Sequence, residues 1–252
     1  MEITLLTALI MAATGFLAGF VDSIAGGGGI ITVPVLLSLG LPPHLALGTN
    51  KFQASFGSVT SAWRYYRKGL FTLKETWLGV LFTFAGAAAG TILIQMIEAD
   101  FLMKAIPLFL LAVFLYTLFS PELGANDRQV GMARYIFYPV FGLLLGFYDG
   151  FFGPGTGSFW TIALVVLLGL NLKKATGTTK IMNFTSNIVS LAVFIMGGKV
   201  VFLAGLFMGS GQIAGAWTGS HLVIKHSTKF IRVFFLIVVA ATIARIIWKE
   251  FF

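Results

Sequence analysis

Four ionisable residues stand inside long apolar stretches of this chain: Asp22, Lys51, Asp149 and Lys180. Each acid precedes a glycine-rich break, in Asp22-Ser23-Ile24-Ala25-Gly26-Gly27-Gly28-Gly29 and in Asp149-Gly150-Phe151-Phe152-Gly153-Pro154-Gly155-Thr156-Gly157. Each lysine follows its break in a short polar stretch, Gly48-Thr49-Asn50-Lys51 and Gly177-Thr178-Thr179-Lys180. A break of this kind within an apolar medium leaves backbone amides unpaired, and it persists where protein or a water-filled cavity satisfies them. The freed N–H groups and the positive end of a half-helix then suit an anion, and glycine lets backbone approach a small solute closely.

The chemistry offered is recognition of an anion rather than bond making. Lys51 and Lys180 would compensate negative charge; the rival reading is that they snorkel to the interface. Gly26, Gly27, Gly28, Gly153 and Gly155 would present backbone amides, and Asn50, Thr179 and Asn183 neutral hydrogen bonds. Thr49, Gln53, Thr178 and Asn187 are further polar candidates, with Thr179, Asn183 and Asn187 on one helix face; polar glue between helices competes with a binding role for each. Asp22 and Asp149 are candidates to carry a coupling proton, against a role as helix cap or internal partner of the symmetry-related lysine.

Other chemistries lack their residues. The Gly26–Gly29 run is not followed by Gly-Lys-Ser/Thr, Ser158 is not in a Gly-x-Ser-x-Gly elbow, and cysteine is absent. His44, His221 and His226 have no helical pair at metal-ligand spacing, so no metal site or cofactor is expected, and the chain does not read as an enzyme.

The elements that must position these residues are membrane helices. With 252 residues, 58% hydrophobic and 10% charged, and a mean hydropathy of +0.94, the chain has too little polar surface to cover a soluble globule. The net charge of +8 arises from basic residues at segment ends, as expected at membrane surfaces, and argues against nucleic acid as a partner. The apolar pattern predicts a first segment over 3–21 and, after the break, a piece over 30–41 too short to span alone, either one discontinuous helix or a re-entrant hairpin. Segments over 45–66, 75–97 and 101–119 follow, then a polar linker over 121–134. The plan recurs with 135–149, a break, 156–170, 175–197, 200–223 and 228–250.

The recurrence has a register. Gly40 and Gly169, Gly48 and Gly177, Thr49 and Thr178, Lys51 and Lys180, Gly69 and Gly198, Gly86 and Gly215, and Gly90 and Gly219 all lie 129 positions apart. We read repeat one as 1–120 and repeat two as 135–252 within a single membrane domain. Basic residues follow the second segment of the first repeat but precede its counterpart in the second. Inverted repeats, each a glycine-broken or re-entrant first segment plus three transmembrane helices, satisfy that bias, with the linker cytoplasmic and both termini outside. Gly86-x-x-x-Gly90 and Gly211, Gly215, Gly219 are stripes for close helix packing within the subunit, with a homodimer contact the lesser reading.

Taken together, the run Gly19 to Gly29, then Gly48 to Lys51, Gly146 to Gly157, Ala175 to Lys180 and Gly197 to Val200 resemble the sulfite exporter TauE/SafE family of membrane permeases over essentially the whole chain. The resemblance implies a multi-pass protein of the bacterial inner membrane that moves, and is expected to export, small sulfur-containing anions such as sulfite, sulfoacetate or other sulfonates. Coupling to a proton or ion gradient would be expected, with alternating access around a midplane site between the two breaks. The positions that match its motifs are Asp22, Gly26 to Gly29, Asn50, Lys51, Asp149, Gly153, Pro154, Gly155, Lys180 and Asn183. Because the second break reads Gly-Pro-Gly-Thr-Gly and Thr179 stands opposite Asn50, the two sides of such a site are not equivalent. A passive anion channel, or a permease for an unrelated small organic anion, is the alternative.

Overall fold

The computed structural model describes residues 4–118 and 132–225. Regular structure among the described residues is entirely helical: α1 (Leu5–Ala25), α2 (Gly28–Ser38), α3 (Pro43–Arg67), α4 (Leu73–Gln95), α5 (Ala99–Leu118), α6 (Arg134–Phe151), α7 (Thr156–Val166), α8 (Leu172–Met196) and α9 (Phe202–Lys225). Most of the expected linker and the segment over 228–250 lie outside the described residues.

Helix ends fall where the sequence punctuates. Thr4 caps α1 by accepting the Thr7 N–H (3.2 Å) and Asn171 caps α8 by accepting that of Lys174 (3.0 Å), each satisfying an orphan amide of a first turn. Gly40 and Gly169 follow α2 and α7 with φ of 85° and 69°, and Gly69 and Gly198 follow α3 and α8 with φ of 67° and 65°. This left-handed conformation is the usual helix stop, and glycine adopts it without steric cost. Both pairs keep the 129-residue register.

The molecule has an apolar exterior and a polar centre. Leu5, Leu9, Trp77, Phe84, Leu144 and Trp217 are exposed, whereas Thr49, Asn50, Lys51, Gln53, Thr179, Lys180 and Asn183 are buried. Helices α1, α4 and α8 are each long and apolar enough to cross a membrane. Polar side chains of α3 and α8 are thereby shielded by helices whose outer faces suit lipid.

Contacts set the helix directions. Along α1 and α9, Gly15 faces Met208 and Gly19 faces Gln212; along α4 and α6, Gly86 faces Leu143 and Gly90 faces Phe147. Both pairs run parallel. Phe52 packs on Gly205 and Phe56 on Gly209, making α3 parallel to α9, and Gly79 packs on Met182 while Thr91 donates to Ser190 Oγ (2.8 Å), making α4 parallel to α8. In contrast α3 and α8 are antiparallel, with Gly48 against Phe194, Ser58 bonded to Asn187 and Gly177 against Tyr65. Thus α1, α3 and α9 point one way and α4, α6 and α8 the other. The two small-residue stripes are used inside the chain: a Cβ at Gly215 would lie 2.0 Å from Phe16 O, and one at Gly90 2.1 Å from Phe147 O.

The choice between a discontinuous helix and a hairpin is resolved as a hairpin with unequal arms. Helix α1 has 21 residues, about 31 Å at 1.5 Å per residue, long enough to cross a bilayer core. The 11-residue α2 turns back along it, from Gly28 beside Ala18 and Asp22 to Leu36 in one apolar cluster with Met11. Helix α7 likewise returns toward the start of α6, where Met132 N–H donates to Leu167 O (3.1 Å). Pairing of Arg134 with Glu75, Arg64 with His221 and Lys173 with Ile224 O gathers the ends of α3 and α9 and the starts of α4, α6 and α8 on one face. That face carries Arg64, Arg67, Lys68, Lys74, Arg134, Lys173, Lys174 and Lys225; Glu98, Asp100 and Lys199 belong to the other.

Candidate functional site

The two breaks meet backbone to backbone. A Cβ on Gly26, whose φ is 76°, would sit 2.4 Å from Gly157 Cα, so each position requires the bare chain of the other. Helices α2 and α7 start from this contact with Gly27 and Gly155 in left-handed conformations as their caps.

Both lysines cross to the other half. Lys51 Nζ on α3 donates to Asp149 Oδ1 (2.6 Å) and Asp149 O (2.5 Å) at the end of α6. Lys180 Nζ on α8 donates to Asp22 Oδ2 (3.1 Å) and to Asp22 O near the end of α1. The lysines are 1% and 0% exposed, which rules out snorkelling and places their charge at the negative ends of α1 and α6. Each lysine is paired in this structure, as a bare ammonium at this depth would cost several kcal/mol. The reading of Asp22 and Asp149 as internal partners of the symmetry-related lysines is the arrangement found.

The carboxylates differ beyond those pairs. Asp22 Oδ1 accepts the N–H groups of Gly27 (3.1 Å) and Gly28 (3.4 Å), capping α2. Asp149 Oδ2 instead accepts the Ser186 hydroxyl, so no carboxylate of this pair caps α7. The Asp22 side chain is 20% exposed and that of Asp149 6%.

A cavity of about 30 Å³ lies between the breaks, lined by Asp22 and Gly27 to Gly29, by Asn50, Lys51 and Ala54 of α3, by Asp149, Gly153, Thr156 and Gly157, by Asn183 and Asn187 of α8, and by Gln212 of α9. It has room for about two waters, less than a sulfur oxyanion needs. Asn50 Oδ1 accepts from Thr32 (2.5 Å) and Gln53 (2.8 Å), which turns its amide N–H toward Gly29. Asn183 Oδ1 is buried without a hydrogen bond, an orphan acceptor at the cavity wall.

Of the residues expected to bind, Gly27, Gly28, Asn50, Lys51, Gly153 and Asn183 line the cavity, and Gly26, Gly155, Thr179 and Lys180 do not. Gly26 is spent on contact with Gly157, Thr179 bonds to Thr161 (3.0 Å), and Lys180 stands behind Asp22. Gln212, Ala54 and Thr156 are lining residues that sequence reasoning missed. Gln212 carried a signal, an amide inside the glycine stripe of α9. Gly19 and Gly57 form notches for it, since a Cβ at either would meet its Oε1 at 2.7 and 2.1 Å.

Comparison with known proteins agrees with this architecture. Residues 11–246 match the family model described as Sulfite exporter TauE/SafE. The chain is 44% identical over 245 residues to a probable membrane transporter protein of Haemophilus influenzae, covering 96% of this chain and 94% of the relative. It is 43% identical over 241 residues to the probable membrane transporter protein YfcA of Escherichia coli, covering 96% and 90%, and 30% identical over 224 residues to YdhB of Bacillus subtilis, covering 86% and 89%. No solved structure matches. On this evidence the chain is a polytopic helical membrane protein that belongs to the sulfite exporter TauE/SafE family of membrane transporters.

Proposed function

We propose that the protein is a secondary carrier of small anions, sulfite, sulfoacetate and related sulfonates first among them, with its site in the cavity between the glycine breaks. The observation that carries this reading is the reciprocal crossing of the two ion pairs at those breaks. Two lysines and two carboxylates leave the centre with no net charge, so a monoanion entering it alone would be an uncompensated buried charge. One proton bound with the anion removes that penalty. Asp22 is the better-placed carrier of the two candidates: it is the more exposed, it faces the cavity, and its protonation would free Lys180 and the Gly27 and Gly28 amides for the incoming anion. Asp149, enclosed by Lys51 and Ser186, would serve as the fixed pair.

The opposed helix directions and the 129-residue register support inverted repeats that rock about this site. By the positive-inside rule the basic face would be the cytoplasmic side of a bacterial inner membrane, with the start of α1 outside. A cavity with room for only about two waters favours a carrier over a continuously open channel, and the reading requires no bond-making chemistry. The direction of net flow would follow the anion and proton gradients together.

The test is uptake of radiolabelled sulfite and sulfoacetate into proteoliposomes. Saturable movement driven by a pH gradient, and unaffected by a potassium diffusion potential for a monoanion, is the expected result. Non-saturating conductance in a bilayer recording would replace the carrier with a channel.

A further inference from the structure

Each lysine holds more than a carboxylate. Helix ends leave their last carbonyls without N–H partners, and at the end of α6 the Gly153 N–H bonds to Tyr148 O (3.2 Å), so Asp149 O is left to Lys51. An ammonium at the end of α6 thus meets one main-chain oxygen and one carboxylate oxygen of the same residue; at α1 Lys180 meets the main-chain oxygen and a carboxylate oxygen of Asp22, the former shared with the Gly26 N–H (2.8 Å). Gly153 keeps the room open, since a Cβ there would lie 2.8 Å from Lys51 Nζ. Unwound carbonyls at a half-helix C-terminus, joined by a carboxylate, form the oxygen set with which broken membrane helices hold a small hard cation. Here a carbonyl and a carboxylate of one residue recur at both breaks, the carbonyl free of N–H partners at α6 and shared with Gly26 at α1, each time met by a lysine from the opposite half.

We infer that Lys51 and Lys180 are tethered cations, each filling a site that its break would otherwise offer to sodium or a similar ion, so that the working cycle needs no bound metal cation. Because the tether comes from the other half of the chain, withdrawing the ammonium also uncouples the halves at that break, a task that a coupling ion would otherwise perform by leaving. The inference rests on the carrier reading for its role in a cycle. The occupancy itself can be measured without any substrate.

The experiment is thermal unfolding of the purified full-length protein in detergent, in the chloride salts of sodium, methylammonium and choline at equal ionic strength. The wild-type midpoint is expected to be the same in all three. Lys51→Ala should unfold earlier in choline and recover by roughly 4 °C or more in sodium or methylammonium, and Lys180→Ala should behave alike with a smaller recovery. In Asp149→Asn/Lys51→Ala the recovery should vanish. A wild-type midpoint raised by sodium, or lysine variants that neither small cation restores, would overturn the inference. Absence of anion transport in liposomes would overturn the carrier reading and leave this result standing.

Discussion

The break after α1 and the break after α6 are built from the same parts and hold their charge differently. At the first, the Asp22 carboxylate is shared between Lys180 and the amides of α2, and one fifth of its side chain is exposed. At the second, the Asp149 carboxylate is held by Lys51 and the Ser186 hydroxyl and is nearly sealed. The residue 129 positions before Ser186 is Gly57, which has no hydroxyl and instead makes room for Gln212. One glycine-to-serine difference therefore turns a matched pair into a fixed latch on one side and an accessible pair on the other. On the carrier reading proposed above, such a scaffold would move while only one of its two charge pairs is remade in each cycle.

Breaking the latch should have the largest effect. Lys51→Met leaves a buried carboxylate unpaired and should cost about 3–5 kcal/mol, read as a lower unfolding temperature in detergent together with loss of transport. Adding Asp149→Leu should restore most of the stability and none of the transport, which would separate the pair's structural and functional roles. Next comes Gly26→Ala, where the methyl must occupy the space of Gly157 Cα on a left-handed backbone; about 1–3 kcal/mol of strain is expected, with the starts of both α2 and α7 disturbed. Equal loss on Gly40→Ala, which has a positive φ but open space around it, would reduce the effect to backbone conformation alone.

The accessible pair should be the milder one to alter. Asp22→Asn keeps one oxygen for the Gly27 and Gly28 amides but leaves Lys180 only the main-chain oxygen of that residue, so stability should fall by about 3 kcal/mol, the low end for a broken buried pair because the side chain is partly exposed. Transport by this variant should lose its dependence on a pH gradient while counterflow persists. Retained dependence would move the coupling role to Asp149 and reverse the ranking of the two breaks. Gln212→Ala removes one hydrogen-bonding group from the cavity wall and should raise KM by about tenfold with kcat little changed. As a baseline, Glu75→Gln breaks an exposed pair with Arg134 and should stay within about 1 kcal/mol of wild type.

Much of the fold was legible in the chain. Segments expected over 45–66, 75–97 and 175–197 appear as Pro43–Arg67, Leu73–Gln95 and Leu172–Met196, because apolar length and terminal glycines act locally. The site was legible by residue type and less so by role. Lys51, Asp149, Asn50 and Asn183 reach the cavity, but Thr179 turns to Thr161 and Lys180 is screened by Asp22. Helical spacing tells which side chains share a face, and it does not tell which neighbouring helix that face meets.

By itself the sequence determined that this chain belongs in a bilayer, where its helices break, and that its buried charges come as two acids and two lysines in matched positions. Those properties depend on apolar length, glycine conformation and the cost of burying charge, all of which act over a few residues. Only the tertiary structure decided that each lysine answers the acid of the opposite half, that Ser186 holds the second carboxylate oxygen of Asp149 while Asp22 caps α2, and that Gln212 completes the wall. Such choices depend on the register of helices whose paired residues lie from 37 to 158 positions apart in the chain, which is set by close packing across the whole bundle rather than by any local preference.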